Sequence, residues 1–280
     1  MFRKAPLFLS MKKISILGCG WLGLPLARMF LAKGWSVKGS TTTEARLREL
    51  SESGIEPFLI VCDPEINGRN LDCFFSSDCL ILNIPFLRNL KDPRYYREQI
   101  LSVAEKAKTS SLKRIIFASS TSVYPDTLID AREDAVFSPA DERAGVLLDI
   151  ERELLGCSSF STTVIRFAGL YGANRKIGNF LSGRSVPRAN APVNLIHLDD
   201  CCHIIGKLVD ADITGEIFNA CSDAHPLRKD LYTLAAKALN VPAPQFSSDT
   251  PVKGKTVNNR KLKQKLSYTF VHPDPMLDLA

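Results

Sequence analysis

A chain of 280 residues and 31.0 kDa, 45% hydrophobic and 24% charged, holds enough apolar material for one large folding unit or a closely joined pair. That composition excludes a disordered or collagen-like chain, and no apolar run approaches the ~18–20 residues that span a bilayer, so no membrane partner is expected. The net charge of +6 is local, because Lys253, Lys255, Arg260, Lys261, Lys263 and Lys265 lie in one stretch free of Asp and Glu. Without those six, basic and acidic residues balance at 30 each. Proteins that track nucleic acid spread basic side chains over a face, so no nucleic-acid partner is expected. The stretch reads as a solvated face or as the rim of a pocket for a small phosphorylated ligand.

In chain order, residues 1–10 hold only the short apolar run Pro6–Leu9, too short for a secretory signal. They read as a dispensable extension ahead of Met11. Lys12–Leu17 is a first strand, followed by glycines and a helical pattern over Leu22–Ala32 that ends at Gly34. Trp35–Gly39 is a second strand, Glu44–Ser53 a helix and Pro57–Cys62 a third strand. Cys79–Ile84 reads as a buried strand, Tyr95–Lys108 as an amphipathic helix, Lys113–Ala118 as a strand, Asp141–Leu155 as a helix and Thr163–Phe167 as a sixth strand. Apolar strands alternating with helices of this size predict a Rossmann-type α/β fold, a doubly wound parallel sheet covered on both faces. After Gly172 the rhythm breaks into a Gly/Arg/Pro/Asn-rich stretch. A helix over Asp199–Val209, a strand over Glu216–Ala220 and a helix over Leu227–Leu239 then predict a small C-terminal α/β substrate unit. The expected division is residues 11–172 for nucleotide binding and 173–280 for a substrate region interleaved with the sheet.

Eight cysteines, at 19, 62, 73, 79, 157, 201, 202 and 221, show no C-x-x-C spacing, and most lie in apolar, strand-like runs. Cys201 and Cys202 are adjacent, a poor arrangement for zinc, so no metal is expected. Small buried thiols in a reducing cytoplasm are the expected state.

Gly18-Cys19-Gly20-Trp21-Leu22-Gly23 fits G-x-G-x-x-G directly after a strand and at the opening of a helix. Gly18 permits the tight turn, Gly20 lets the backbone approach a pyrophosphate, and Gly23 allows close packing of helix on sheet. The N–H groups of the helix start, including Trp21 and Leu22, then face the phosphates. An NAD site places Asp or Glu near the end of the second strand to bond the ribose 2′-hydroxyl. Here that place holds Gly39-Ser40-Thr41-Thr42-Thr43. Hydroxyls tolerate a 2′-phosphate that a carboxylate would repel, so NADP is expected over NAD, with Ser40, Thr41 and Thr42 as ribose-side contacts and Arg46 one helical turn away. The same segment also serves as an N-cap for the helix near Glu44. Asp63 is a candidate for the adenine amino group, or a plain turn residue before Pro64.

Further along, Phe117-Ala118-Ser119-Ser120-Thr121-Ser122-Val123-Tyr124 resembles the S-S-x-x-V-Y segment of extended short-chain dehydrogenases/reductases, the sugar-nucleotide epimerase/dehydratase superfamily. Arg166–Gly172 resembles their R-x-x-G-x-Y-G, Asn194–Asp200 their N-x-I-H-x-D-D, and Phe218–Asp223 their last strand motif. With the glycine loop, five segments run in family order from Lys12 to about Phe270. The resemblance implies a nicotinamide cofactor also bordered by Ile84, Pro85 and Ser119, and a small-molecule substrate, nucleotide-linked or similarly polar, in a monomer or homodimer. The family's Tyr-x-x-x-Lys pair does not carry over. Aligned on Glu151, the Tyr position is Arg143 and the Lys position is Leu147, and no Tyr occurs between Tyr124 and Tyr171. Ser120 matches the family's catalytic Ser/Thr, and Tyr124, with Tyr95 or Tyr96, is the remaining candidate proton donor. His197 reads as a structural histidine, Asp199 and Asp200 as carboxylates at a helix start, and Arg143 as a holder of an anionic group. Two functions are open: an NAD(P)-dependent epimerase, dehydratase or reductase, and a non-catalytic NADP-binding sensor or scaffold.

Overall fold

The structure is a computed structural model that describes residues 12–87, 89–247 and 254–279; the expected extension at residues 1–10 lies outside them. β1 (Lys13–Leu17) passes through the glycine loop into α1 (Gly23–Ala32), and β2 (Ser36–Thr41), α2 (Ala45–Glu52) and β3 (Glu56–Cys62) follow. β4 (Ile66–Gly68) turns back antiparallel on β3, and α3 (Leu71–Phe75) leads into β5 (Cys79–Leu82). Next come α4 (Arg94–Lys108), β6 (Arg114–Ser120), β7 (Asp130–Ala131), α5 (Glu142–Leu155) and β8 (Ser161–Phe167). The remainder holds β9 (Gly169–Tyr171), β10 (Ser185–Val186), β11 (Leu195–His197), α6 (Leu198–Asp210) and β12 (Ile217–Ala220). It closes with α7 (Arg228–Ala238), β13 (Gln245–Phe246), β14 (Thr256–Val257) and α8 (Arg260–Leu266).

The main sheet runs β12-β8-β6-β5-β1-β2-β3-β4, parallel throughout except for β4. This is the expected doubly wound α/β sheet. The chain leaves β1 toward β2 and β3, then returns to lay β5, β6 and β8 on the other side, so strand order reverses between β1 and β5. In open sheets of this kind ligands bind beyond the carboxyl ends of the strands at that reversal. β12 comes from the region after Gly172 yet pairs with β8, Ile217 opposite Val164 and Ala220 opposite Phe167.

The central strands read as unbroken apolar runs because both faces are covered. Ile14, Ile16, Leu80, Ile81, Leu82, Ile115, Ile116 and Phe117 are fully buried. α4 buries Tyr96, Ile100, Val103 and Ala107, which recur at helical spacing along one face. The expected helix start at Asp141 is its N-cap: the Asp141 carboxylate accepts the Ala144 N–H at 2.8 Å. β2 extends two residues beyond the expected Gly39, since Ser40 and Thr41 still pair with Phe58 and Leu59. A smaller apolar cluster of Tyr171, Ile177, Val193, Leu195, Leu231 and Ala235 forms under α7.

Two expectations change. Cys73 lies exposed on α3 rather than in a strand, while Cys19 is buried, which pushes its thiol up to about 12. The basic stretch is more than a solvated face. Within it α8 buries Leu262 and Leu266 against the β12 edge. Lys261 Nζ donates to the Ile217 carbonyl at 2.8 Å, and Lys255 Nζ to the carbonyls of Thr121 and Tyr124 at 3.0 and 2.9 Å. Two apolar residues among seven make too short a pattern to announce a helix. Beside α8 a cleft of about 720 Å³, lined by Arg132, Glu133, Glu216, Arg260, Lys261 and Lys265, carries both signs of charge. It opens at the outer edge of β12, with β8, β6 and β5 between it and β1.

If α8 holds this edge, Leu262→Ala should cost about 2–5 kcal/mol by cavity formation, read as an earlier urea midpoint. Lys265→Ala, at an exposed ion pair, should stay within about 0.5 kcal/mol of the parent.

Candidate active site

The glycine loop lies at the carboxyl end of β1, at the strand-order reversal. Gly18 has φ +104°, and a Cβ there would lie 2.5 Å from the Asn83 carbonyl oxygen. A Cβ on Gly23 would run into the Gly18 carbonyl oxygen. Both positions therefore require glycine for the fold itself. Gly20 differs, because a Cβ there would meet no atom within 4 Å. The open space lies at the start of α1, whose N-cap Leu22 offers no side-chain bond and whose first turn has no acidic residue. An uncapped helix start facing open space leaves N–H groups that an anion can bond.

Three side chains set the shape of this loop. Ser40 Oγ accepts the Gly18 N–H at 2.9 Å, Asn83 Nδ2 donates to Gly18 O at 3.0 Å, and Arg46 Nη2 donates to Cys19 O at 3.0 Å. The structure thus turns the Ser40 hydroxyl toward the loop. Thr41 is also buried and bonds within its own turn to Thr43, which leaves Thr42 exposed at the strand end. Asp63 accepts a hydrogen bond from Tyr95 Oη. Ile84 is half-buried and its carbonyl accepts the Tyr96 hydroxyl at 2.9 Å, while Pro85 is exposed beside it. Over the loop, the Arg175 guanidinium lies 4.3 Å above the Trp21 ring, and Trp21 Nε1 is shut from solvent with no acceptor. Sequence reasoning missed Asn83 and Arg175, since neither stands in a motif.

On the far side of β5 lies a buried polar network. Arg166 and Glu151, 4% and 3% exposed, form a bidentate pair: Nη2 to Oε2 at 2.6 Å, and Nε to both carboxylate oxygens at 3.1 Å. Ser119 Oγ donates to Glu151 Oε1 at 2.6 Å. Arg166 Nη1 donates to Tyr124 Oη at 2.7 Å, and Tyr124 Oη donates to Asn219 Oδ1 at 2.9 Å. Asn219 in turn donates Nδ2 to the carbonyls of Ala131 and Asn258, and its N–H to Glu133. Burial raises the Tyr124 pKa, and Arg166 opposes that shift. The phenol is 1% exposed and committed on both sides, so this arrangement does not bring Tyr124 to an open cleft. Tyr96 is buried in the same way, and Ser120 Oγ accepts the Ser122 N–H at 3.1 Å as the cap of a short 3-10 turn. At the Tyr/Lys positions, Leu147 is buried. Arg143 lies 3.8 Å over the Phe86 ring and donates Nη2 to the Leu87 carbonyl at 2.9 Å, so it braces the segment after β5.

The motif around His197 meets the end of the chain. Asp200, fully buried, accepts Tyr268 Oη at 2.6 Å and the N–H groups of Val271 and His272 at 2.8 and 3.0 Å. The His272 ring stacks on His197 with centroids 3.6 Å apart. His272 Nδ1 is 2.8 Å from Asp278 Oδ1, and its Nε2 is 3.4 Å from Asp199 Oδ2. Tyr171 Oη donates to Asp278 Oδ2 at 2.5 Å. Burial by itself lowers the pKa of His272, but the carboxylates of Asp278 and Asp199 outweigh it and raise the group above 6.5. His197 is lowered, by burial first and then by its neighbour His272. Among the described residues, no helix is long and apolar enough to cross a membrane.

Comparison with known proteins agrees with this geometry. No protein-family model matches the chain. A short-chain dehydrogenase/reductase superfamily protein of Agrobacterium tumefaciens, solved with bound NAD, superposes with a TM-score of 0.76 at 17% identity over 95% of each chain. UDP-glucuronic acid 4-epimerase of Bacillus cereus, solved with UDP-glucuronic acid and NAD, superposes with a TM-score of 0.74 at 17% identity, over 95% of this chain and 96% of that one. The fold is thus the Rossmann-type arrangement that these short-chain dehydrogenase/reductase and 4-epimerase structures share. Within it, 34% identity over 270 residues, 95% of this chain and 98% of the relative, links it to protein YeeZ of Escherichia coli. The chain belongs to the YeeZ family.

Breaking the buried pair exposes its importance. Glu151→Gln should cost about 3–5 kcal/mol, because Arg166 stays buried without its counter-charge. Tyr124→Phe should cost about 1–3 kcal/mol for the two bonds its hydroxyl makes, both measured by denaturant unfolding. The His272 contribution has a sign. Its pKa is raised in the folded state, so its stabilisation is complete below about 6.5 and fades as pH rises through the folded value. His272→Gln should therefore lower the melting temperature clearly at pH 5.5 and much less at pH 8.5.

Proposed function

We propose that the protein binds NADP across the β1/β5 reversal and acts as an epimerase-, dehydratase- or reductase-like enzyme on a sugar nucleotide or a similarly polar metabolite. The open space over Gly20, facing the uncapped start of α1, is the single observation that carries the cofactor reading. The N–H groups of Gly20, Trp21 and Leu22 would hold the diphosphate, and Gly18 and Gly23 keep the loop in the shape that presents them. Residues Ser40–Thr43 at the end of β2 offer no carboxylate to repel a 2′-phosphate, and Arg46, paired with Glu49 at 3.1 Å, stands one turn further on. Ser40 and Thr41 support that end from within, Asp63 would meet the adenine, and Ile84 and Pro85 would border the nicotinamide side, with Ser119 behind them on β6. The bound nicotinamide supplies hydride chemistry that no side chain offers. Epimerases of this architecture act on UDP-sugars, as the Bacillus cereus protein does, which supports a nucleotide-linked substrate.

A second reading, a dinucleotide sensor without turnover, rests on a specific observation. Arg143 and Leu147 occupy the Tyr/Lys positions, and the Tyr124 phenol is tied between Arg166 and Asn219. An arginine whose pKa exceeds ~12 cannot exchange protons near neutrality. In either reading the thiols are reduced, which suits the cytoplasm.

Calorimetric titration of the apoprotein should give tighter binding of NADP than of NAD. Equal or tighter NAD binding would remove the 2′-phosphate assignment. Gly20→Val should abolish binding of both while leaving the melting temperature nearly unchanged, since its side chain enters ligand space and not protein. Turnover of UDP-sugars with NADP present would favour the enzyme; tight binding without turnover would favour the sensor.

A further inference from the structure

Trp21 and Arg175 form a pair in which the indole N–H is buried without a partner and the arginine is exposed beside it. Trp21 follows Gly20 in the phosphate loop, and its Nε1–H is buried without an acceptor. An indole N–H taken from water and left unbonded costs free energy unless a partner arrives. Arg175, from the far part of the chain, lies over that ring with its guanidinium 4.3 Å from the ring centroid. Among the described residues it pairs with no carboxylate, and desolvation lowers its pKa with little to oppose it. A cation over an aromatic face is a weak resting place, and a phosphate oxygen is a much stronger one.

The backbone that carries Arg175 is held firmly. Gly172 and Arg175 exchange both hydrogen bonds, N–H to O at 3.1 and 2.9 Å, to close a tight turn. Gly172 has φ +106° and Ala173 φ +45°. A Cβ on Gly172 would run into His197 Nε2, so His197 is packed directly beneath the turn. Any reorientation would then fall to the arginine side chain, from a base fixed by the turn. That base follows β9, whereas Trp21 belongs to the loop after β1, so the arm reaches across to the phosphate loop from the substrate side.

We propose that Arg175 and Trp21 are a diphosphate clamp. Arg175 leaves the indole face for the diphosphate of a ligand seated at the start of α1, and Trp21 Nε1–H gains an oxygen of that ligand as its acceptor. The diphosphate belongs either to the dinucleotide or to a nucleoside-diphosphate substrate. The dinucleotide arm rests on the cofactor reading above.

The test uses calorimetry on the full chain with NADP, UDP and, as a probe without a diphosphate, adenosine 2′-monophosphate. Arg175→Met keeps the length and the packing on Trp21 but removes the charge, and Arg175→Lys restores a point charge without the fork. Arg175→Met should weaken NADP or UDP by about 10–100-fold, the size of a charge-assisted hydrogen bond, and leave adenosine 2′-monophosphate within about twofold of the parent. Arg175→Lys should fall between. Whichever of NADP and UDP loses affinity identifies the source of the diphosphate. The second readout is fluorescence in Trp35→Phe protein, where Trp21 is the sole tryptophan of the two in the chain. Its emission should change on ligand binding with Arg175 present. Unchanged affinity for both NADP and UDP in Arg175→Met protein of normal melting temperature overturns the clamp. Wild-type protein that binds neither dinucleotide defeats the cofactor reading instead, and if UDP also fails to bind, the clamp falls with it.

Discussion

The Arg166–Glu151 pair is the constraint around which the rest of the molecule is arranged. Two full charges taken out of water are tolerable only when every polar atom around them is bonded. Here β8 supplies the arginine, α5 the glutamate, β6 the Ser119 hydroxyl, the turn after β6 the Tyr124 phenol, and β12 the Asn219 amide that receives it. Three segments that resemble one protein superfamily at separate places in the chain are therefore parts of one hydrogen-bonded unit. Asn219 then reaches β7 and the segment before α8, which draws the C-terminal basic stretch onto the sheet edge.

This unit has a consequence for chemistry. A phenol that donates to an amide and accepts from a guanidinium is poised for stability, not for proton exchange with a bound molecule. The same holds for Ser119, whose hydroxyl serves Glu151. On this side of the sheet the residues with titratable character are spent inside the protein. Near the reversal, among the described residues, the start of α1 has no side-chain cap, Trp21 Nε1–H has no acceptor and Arg175 meets no carboxylate. The proposed diphosphate site draws on these groups.

The C-terminal segment has a parallel role. Asp200 at the start of α6 bonds the Tyr268 hydroxyl and two backbone N–H groups, so the last stretch of chain is tied to the helix that packs on α1. His272 adds a second tie through Asp199 and Asp278 and stacks on His197, which in turn supports the turn beneath Arg175. A tail residue thus reaches the phosphate loop through packed side chains.

The sequence by itself determined the sheet and the loop. Strand and helix periods of 2 and 3.6 residues, unbroken apolar runs at Cys79–Ile84 and Lys113–Ala118, and glycine at positions 18, 20 and 23 are local signals, because backbone geometry and burial act over a few residues. The loss of Tyr and Lys at positions 143 and 147 was legible for the same reason, as a matter of identity at a spacing. What the sequence could not decide was which way a polar side chain faces. Ser40 read as a ribose contact, and pairing of β2 with β3 turned its hydroxyl to the Gly18 N–H. Tyr124 read as a spare proton donor, and Arg166 and Asn219, from two later strands, claimed its oxygen. The basic stretch read as a solvated face or a pocket rim, and two buried leucines with the Ile217 carbonyl docked it on β12 as a helix. Arg175 carried no local pattern at all, and only the folding of the chain after β9 set it over Trp21. A hydrogen bond joins donor to acceptor across space, so its partner is settled by tertiary packing and leaves no mark on local spacing.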